Sequence, residues 1–535
     1  MTNRTFKTGV SRHQPSFLPP RLEDYVAGDN PVRVIEAFVV ALDLRKLGFR
    51  HAGSNGGAGQ PPYDPGDLLK LYLYGYLNRV RSSRSLEREA GRNLELIWLM
   101  KHLVPGYRTI AKFRQENWKA LKATNREFVL MLRELNLLGG EVVAIDGAFF
   151  DGNASKASIK TQRKLAKRLR EIEHEIEAYG AALEANDRAE AERPPAGQDG
   201  GGDGGGDVAQ KVAALMARRA SLQADLAQLE ESGQTQLSRT DADARLLSKN
   251  GQVVAGYNVQ IAVDGKHKLI PASEVVNDGN DSGQLYDMAK AAKDELGVET
   301  LTALADTGYY NGNMLKACEE DGIVAYVPQA KRTARLEAQD RISHEAFAYE
   351  AEANVYRCPA GKQLRPTEGR KTNGHRSEIR YVSRKSDCDA CAIRSRCLSA
   401  KTLTRTVYRW EHEAVLDRHR ERMMKDADVQ MRRRAELAEH PFGTLKCRAG
   451  YRHFLVRGFD KVRGEWSLMA LCYNFTRVLN ILGFEGFLAA IAKAFQSLLR
   501  ALSAAASCTQ LLLQAFWTNI SLGLPIKRFG LIPAT

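Results

Sequence analysis

The sequence shows neither a secretory leader nor a long uninterrupted apolar run. No positively charged leader followed by an apolar stretch opens it, so secretion is not expected. The longest uncharged window, residues 501–526, is diluted by Ser, Thr, Asn and Gln. A membrane-spanning helix is predominantly apolar over ~20 residues, which this window is not. These absences favour a cytoplasmic protein that does not span a membrane.

Cysteine is scarce, at eight residues in 535. Half of the cysteines are scattered along the chain: Cys318, Cys447, Cys472 and Cys508. The other half crowd into one region between residues 358 and 397. This distribution is typical of a reducing compartment and of metal thiolates, and it argues against a disulfide framework.

The crowded cysteines have the ligand spacing of a zinc site. Cys388 and Cys391 form a Cys-x2-Cys pair, Cys397 follows after five residues, and Cys358 opens a Cys-Pro-Ala-Gly segment upstream. Four thiolates of this kind hold tetrahedral Zn²⁺ in closed structural sites. Free structural thiols and an iron–sulfur cluster, which also uses four cysteines, stay open as alternatives.

Acidic residues are fewer than basic ones. Lys and Arg number 78 against 64 Asp and Glu, which gives a formal net charge of +14. A polyanionic partner is therefore favoured, with nucleic acid the first candidate and a membrane surface the second. The length allows roughly three or four domains, and a hydrophobic content of 44% is ample for buried cores.

Residues 1–140 predict an all-helical domain, because apolar residues recur there at three- and four-residue steps. Asp64 and Pro65 mark the start of one helix as its cap and first residue. The segment RVRSSRSLEREAGRN then concentrates basic side chains that suit phosphate binding: Arg79, Arg81, Arg84 and Arg88. A solvated helix surface balanced by nearby glutamates is the alternative.

From Glu141 the pattern changes to strands flanked by helices, which predicts an α/β core. Residues 156–245 interrupt this core as two antiparallel helices joined by a Gly-rich tip. We therefore predict these further parts: a first core segment 141–329 containing the hairpin, a Cys-containing insertion 330–425, core helices 426–483, and a variable helical tail 484–535.

Three acidic residues stand in settings that suit metal-assisted phosphoryl chemistry. Asp146 in VVAIDGAFF and Asp306 in LADTGYY each end a β-like apolar run near a glycine, and Glu439 lies in LAEHPFGTLK. Two divalent cations ~4 Å apart need such acceptor-only oxygens. The large separations exclude a local motif, so only the fold can bring the three acids together.

The sequence also resembles a known family over residues 18–483. Its blocks include YDPGDLLKLYLYGYLNRVRSSRSLEREAGRN, IDGAFFDGNASK, AGYNVQIAVD, VVNDGNDSGQL, ADTGYYNGNML and MRRRAELAEHPFGTLKCRAGYRHFLVRGFDKVRGEWSLMALCYNFTRVLNILG. In this order they resemble the bacterial insertion-sequence transposases of the DDE class. The resemblance implies an RNase H-like core with a mixed sheet and flanking helices, joined to an all-α N-terminal domain.

The resemblance implies roles for the three acids. Asp146, Asp306 and Glu439 match the ligands of Mg²⁺ or Mn²⁺ that serve in-line attack on a phosphodiester. Two other interpretations stay open: Asp146 could be a residue at a strand-to-turn junction, and Asp306 could be the N-cap of the helix in NGNMLKACEE. Glu436, on the same helical face as Glu439, is an alternative third ligand.

The residues around Glu439 fit the family pattern in part. Arg434 and Lys446 approximate the Arg and Lys that bracket the Glu in related transposases and contact DNA, but the expected upstream Tyr is absent. Pro441 predicts either a kink or a helix end beside Glu439.

The implied activity is cleavage of element ends and strand transfer to target DNA. The implied partners are terminal inverted repeats, target DNA and a second copy of the chain in a synaptic complex. A nuclease that only hydrolyses, and a decayed transposase that only binds DNA, are the competing interpretations. A DNA-acting protein of this kind would lie in the cytoplasm, on the nucleoid when bound.

Overall fold

The structure is a computed structural model that describes residues 21–53, 61–191, 204–249, 251–330, 339–373 and 376–521. The chain divides into two compact units. The first contains the described residues up to Leu137, Ala449–Tyr451 and the chain from Asp460 onward. The second contains Leu138–Arg448 and Arg452–Phe459. The chain as a whole is a mixed α/β protein.

The first unit is helical, as its apolar periodicity predicts. Its N-terminal helices are α1 (Val32–Ala41), α2 (Pro65–Leu77), α3 (Ser83–Ala90), α4 (Leu94–Leu99), α5 (Tyr107–Glu116) and α6 (Trp118–Glu134). The predicted start of α2 is confirmed: the Asp64 carboxylate accepts a 2.6 Å hydrogen bond from the Gly66 amide, and Pro65 is the first helical residue.

The C-terminal helix of this unit runs over Phe459–Ser521, with a non-helical residue at Gly483. Its part Phe459–Ala494 is long and apolar enough to cross a membrane by length and composition. Trp466 and Phe475 of that part are buried, and Phe475 stacks on Phe128 at 5.9 Å, so they form part of this unit's core. The uncharged window 501–526 lies outside the residues whose side chains the structure describes.

The second unit begins with strand β1 (Val142–Asp151) and the helical hairpin. The elements of the hairpin are β2 (Ile159–Thr161), α7 (Gln162–Ala191), α8 (Gly204–Ser232) and β3 (Gln236–Ser238). The two helices pack through Leu165, Ile172, Leu222 and Leu229, while β2 and β3 pair antiparallel at the base. The predicted helices are confirmed. Of the predicted Gly-rich tip, residues 194–207, positions 194–203 lie outside the described residues and the last four belong to α8.

A mixed sheet forms the centre of the second unit. Its remaining strands and the helices between them are β4 (Arg245–Lys249), β5 (Gln252–Asp264), β6 (Ala272–Val276), α9 (Leu285–Leu296), β7 (Leu301–Leu304), α10 (Gly312–Glu320) and β8 (Ile323–Tyr326). The strand order is β4-β5-β1-β7-β8, with β6 also paired to β5. Strand β1 is antiparallel to β5 and parallel to β7, and β7 is parallel to β8.

A second, antiparallel sheet follows, with strand order β13-β12-β11-β10-β9. Its elements are β9 (Ala348–Glu350), β10 (Val355–Arg357), β11 (Gln363–Asn373), β12 (Arg376–Ser383), α11 (Lys385–Asp389), α12 (Arg394–Cys397) and β13 (Thr406–Trp410). Its core is aromatic, with Phe347, Tyr356 and Tyr381 buried together.

Helix α13 (Glu413–Gly443) returns to the central sheet and contacts β1, β5, β7 and β8. It continues through Pro441, and a π-helical turn, Thr444–Arg448, follows directly. The helix end expected at Pro441 is therefore not seen, because the α-helix runs on to Gly443 and passes into the π turn. A π turn is rare and frequently lies at a functional site.

Candidate active site

Asp146 and Asp306 lie at the same level of the central sheet. The parallel register of β1 and β7 pairs Ala144 with Leu304, and each aspartate comes two residues further along its strand direction. Asp146 is not at a strand end, however: β1 continues to Asp151, and Asp146 pairs with Ile261 of β5. The strand-to-turn interpretation of Asp146 is therefore wrong, because β5 supplies pairing partners beyond it.

Asp306 caps a short 3₁₀ turn directly after β7. Its Oδ1 accepts a 2.8 Å hydrogen bond from the amide of Gly308. The following helix α10 is capped by Asn311, so the interpretation of Asp306 as the cap of that helix is wrong. The cap uses one oxygen of Asp306 and leaves Oδ2 directed at another partner.

That partner is Arg434 of α13, which joins the two aspartates. Its Nη2 lies 2.7 Å from Oδ1 of Asp146 and 3.7 Å from Oδ2 of Asp306. Burial raises the pKa of Asp146 above its ordinary value, Arg434 opposes this, and the charge of Asp306 adds to it. The two carboxylates thus form one electrostatic site with a cation between them.

A third aspartate, Asp281, lies beside this pair and was not predicted. Its side chain is buried, and its Oδ1 accepts hydrogen bonds from Asn258 and Gln260, both at 2.8 Å. Its Oδ2 accepts a 3.1 Å hydrogen bond from Lys249. Tyr309 donates to the oxygen of Gln260, which fixes the orientation of that amide.

Asp281 packs against the glycine that follows each of the other two aspartates. A Cβ on Gly147 would lie 2.8 Å from Oδ1 of Asp281 and would also overlap the Gln260 amide. A Cβ on Gly308 would lie 3.7 Å from Oδ2 of Asp281. The block VVNDGNDSGQL contained the signal for this residue, a polar run between a strand and a helix on the side of the sheet that carries the other acids.

Glu439 is exposed on α13 and forms no metal-site group with the aspartates. It is five residues beyond Arg434, which in an α-helix is ~7.5 Å along the axis and ~140° around it. Glu436, the alternative third ligand, forms a 3.0 Å ion pair with Lys268. The structure therefore brings together Asp146 and Asp306 and does not place either glutamate with them.

Lys446 lies against β1 in the π turn. Its Nζ donates a 2.7 Å hydrogen bond to the carbonyl of Phe149 and lies 4.5 Å from the centre of the Phe150 ring. Burial lowers the pKa of Lys446, while the charge of Asp146 opposes that change. The lysine is thus held close to the aspartate strand.

Among the described residues, no three His, Cys, Asp or Glu side chains are arranged as a metal site. For the aspartates this has a physical reason, because like-charged carboxylates repel and a guanidinium lies between two of them. Their oxygens are nevertheless the donors that Mg²⁺ and Mn²⁺ prefer, so the donor set suits a divalent cation.

The four crowded cysteines line one cavity of about 30 Å³ beside the second sheet. Cys358 accepts a 3.3 Å hydrogen bond from the amide of Lys362, and the Cys388 sulfur lies 3.0 Å from the hydroxyl of Ser383. Burial raises the pKa of the Cys397 thiol, and the charges of the other three cysteines add to this. Four thiols are the donor set of a closed zinc site, but no three of these sulfurs are arranged as a metal site in the structure.

The arginines predicted to bind DNA have different surroundings within the helical unit. Arg79, Arg84 and Arg88 are exposed. Arg81 is not: its side chain is 9% exposed, lies 4.0 Å from buried Glu465 and stacks 5.0 Å over the ring of Tyr451. Arg81 thus compensates a buried charge within the bundle.

Two family models match the chain. Residues 357–479 match the model described as Transposase DDE domain, and residues 20–116 match the model described as Transposase domain (DUF772). The first match includes the four cysteines, Arg434, Glu439 and Lys446. Asp146 and Asp306 lie between the two matched segments. No curated protein and no solved structure matches the chain.

Proposed function

We propose, from the premise that this chain is an insertion-sequence transposase of the DDE class, that it cuts the ends of its element and transfers them to target DNA with Asp146 and Asp306 as paired metal ligands. The observation that carries the proposal is the single Arg434 guanidinium in contact range of both carboxylates. Two acids far apart in sequence thus share one positive counter-charge, and a divalent cation would be attracted to the same place.

The strand order supports an RNase H-like core. In such a core three antiparallel strands are followed by two parallel strands, and the first strand is central. Here β1 lies between antiparallel β5 and parallel β7, and β6 and β8 extend the two sides. This order explains why the first acid comes from β1 and the second from the end of β7.

We assign Glu439 as the third ligand. It lies on the same helix as Arg434, next to buried Ala438, and no hydrogen bond or ion pair engages it in the described part of the chain. Glu436 is already paired with Lys268, which favours Glu439. The π turn directly after this segment gives the helix end a local irregularity that can accommodate a change of position.

Mg²⁺ or Mn²⁺, when bound, would supply Lewis-acid stabilisation of charge at the reacting phosphate. The protein side chains have separate tasks. Asp146 and Asp306 would hold the cation, Arg434 offsets their charge in its absence, and Lys446 lies beside β1 where it can contact a phosphate.

DNA recognition is assigned to the helical unit. Exposed Arg79, Arg84 and Arg88 can neutralise phosphates, whereas Arg81 supports the fold through Glu465. Joining two element ends requires two active sites, so we propose a homodimer in the synaptic complex. The four cysteines of the cavity would hold a structural Zn²⁺, which would stabilise the second sheet.

The test is cleavage of a labelled duplex that carries the element's own terminal repeat, with Mg²⁺ or with EDTA. Cleavage should require Mg²⁺ and should be lost in Asp146→Ala, Asp306→Ala and Glu439→Ala. Glu436→Ala is the matched control and should cut normally. Loss in Glu436→Ala with activity kept in Glu439→Ala would contradict the assignment of the third ligand.

Two outcomes would favour other functions. Cutting without joining to a target duplex would indicate a hydrolytic nuclease. Binding without Mg²⁺-dependent cutting would indicate a DNA-binding relic.

A further inference from the structure

The ammonium of Lys249 lies at the rim of the acidic cluster. Lys249 is the last residue of β4, and its side chain is 41% exposed. Burial of the other part lowers the pKa of Lys249, but the hydrogen bond and charge of Asp281, together with the charges of Asp306 and Asp146, raise it above its ordinary value. The lysine therefore lies in the field of three carboxylates and bonds to Asp281.

The two oxygens of Asp281 have separate partners. Oδ1 accepts from the side-chain amides of Asn258 and Gln260, which fix the carboxylate on β5. Oδ2 accepts from Lys249. The carboxylate is 4% exposed, so its own position is well defined while the lysine reaches it from a partly exposed strand end.

We propose that Asp281 is a positioning residue that holds the Lys249 ammonium away from Asp146 and Asp306 and so leaves those two carboxylates to a divalent cation. The inference rests on the proposed function of the pair. Lysine has a long flexible side chain and a compact charge. Without Asp281, the ammonium would be drawn to the two remaining carboxylates and would compete with the cation for them.

Asp281→Asn tests this selectively. The Asn carbonyl can replace Oδ1 and accept from both amides, so the packing beside Gly147 is retained. The Asn amide then replaces Oδ2, and as a donor it cannot accept from the lysine. Lys249→Gln removes the competing charge, and the double variant removes both the charge and its anchor.

The measurement is Mn²⁺ binding to the full-length protein by titration calorimetry, without DNA. Asp281→Asn should weaken binding by about tenfold, the effect expected for a unit charge several ångströms away under partial solvent screening. The double variant should bind Mn²⁺ clearly more tightly than Asp281→Asn, because the released ammonium is gone. A purely structural role would not give this recovery, because Lys249→Gln does not restore a disrupted fold.

Two results would overturn the inference: unchanged Mn²⁺ affinity in Asp281→Asn, or equally weak binding in Asp281→Asn and the double variant. Failure of the underlying function is distinguishable. In that case the wild type would bind no Mn²⁺, or Asp146→Asn would bind it as the wild type does.

Discussion

Replacing Arg434 by Gln should destabilise the metal-free protein and make it more responsive to metal. The guanidinium lies 2.7 Å from Asp146 and 3.7 Å from Asp306, so its removal leaves two carboxylates facing each other without a counter-charge. On the proposed function, the pair would bind a divalent cation in competition with this guanidinium in the wild type and without that competition in Arg434→Gln.

The magnitude follows from the separations. At an effective dielectric constant of about 20, a unit-charge pair at these distances is worth about 4–6 kcal/mol before desolvation. The three side chains are 17–31% exposed, and burial of a charge costs part of what pairing gains. We therefore expect a net loss of about 2 kcal/mol, which lowers the melting temperature by about 4 °C for a unit of this size.

Thermal unfolding in EDTA and in excess Mn²⁺ measures both effects. Arg434→Gln should melt below the wild type in EDTA, and the difference should shrink or reverse with Mn²⁺. Arg432→Gln is the control, because that exposed guanidinium donates only within its own helix, to the carbonyl of Asp428. No loss in EDTA, or the same loss with and without Mn²⁺, would refute the reasoning.

Three further predictions concern other parts of the second unit. Burial lowers the pKa of His419 to about 4 from an ordinary 6.5. At pH 5 the unfolded imidazole therefore takes up a proton and the folded one does not, so the free energy of unfolding should fall by about 2 kcal/mol between pH 7 and pH 5. Urea unfolding should show that His419→Gln does not lose this stability at pH 5. Gly147→Ala should abolish cutting and lower the free energy of unfolding by about 1–3 kcal/mol in thermal unfolding, because the added Cβ has no room. A Cβ on Gly283 would meet open space, so Gly283→Ala should change neither cutting nor stability. Cys391→Ser should lose Zn²⁺ by elemental analysis and melt earlier, whereas Cys447→Ser, exposed and outside the cavity, should keep the metal.

The elements that carry the acids follow from local sequence patterns. Runs such as VVAID and LTALAD are short, apolar and near glycine, and they form the predicted strands β1 and β7. The continuation of β1 beyond Asp146 could not be predicted from these patterns, because it depends on pairing with β5. Asp146 and Asp306 lie at the same height in the sheet because β1 and β7 pair in parallel in one particular register. The pattern of apolar residues does not specify that register.

The charge partners could not be read from spacing. Arg81 belongs to the same basic run as Arg84 and Arg88, yet Glu465 of the C-terminal helix lies beside it in the fold. Asp281 likewise follows a strand in a polar segment, and only the folded sheet brings Lys249 and Gln260 to it. A pattern identifies residues that can carry charge, whereas burial decides which of them must be compensated inside the protein.

The same requirement explains why the cationic side chains of Arg434 and Lys249 lie among the three aspartates in the absence of metal and DNA. Three carboxylates partly removed from water repel one another and need opposite charge nearby. The Arg434 guanidinium pairs with Asp146 and lies within reach of Asp306, and the Lys249 ammonium pairs with Asp281. The two cations differ in one respect: Asp281 gives Lys249 a partner outside the aspartate pair, whereas Arg434 lies directly between its members. On the proposed function, a divalent cation held by the aspartate pair would take the place of this one guanidinium, whereas the Lys249 ammonium would keep its own partner in Asp281.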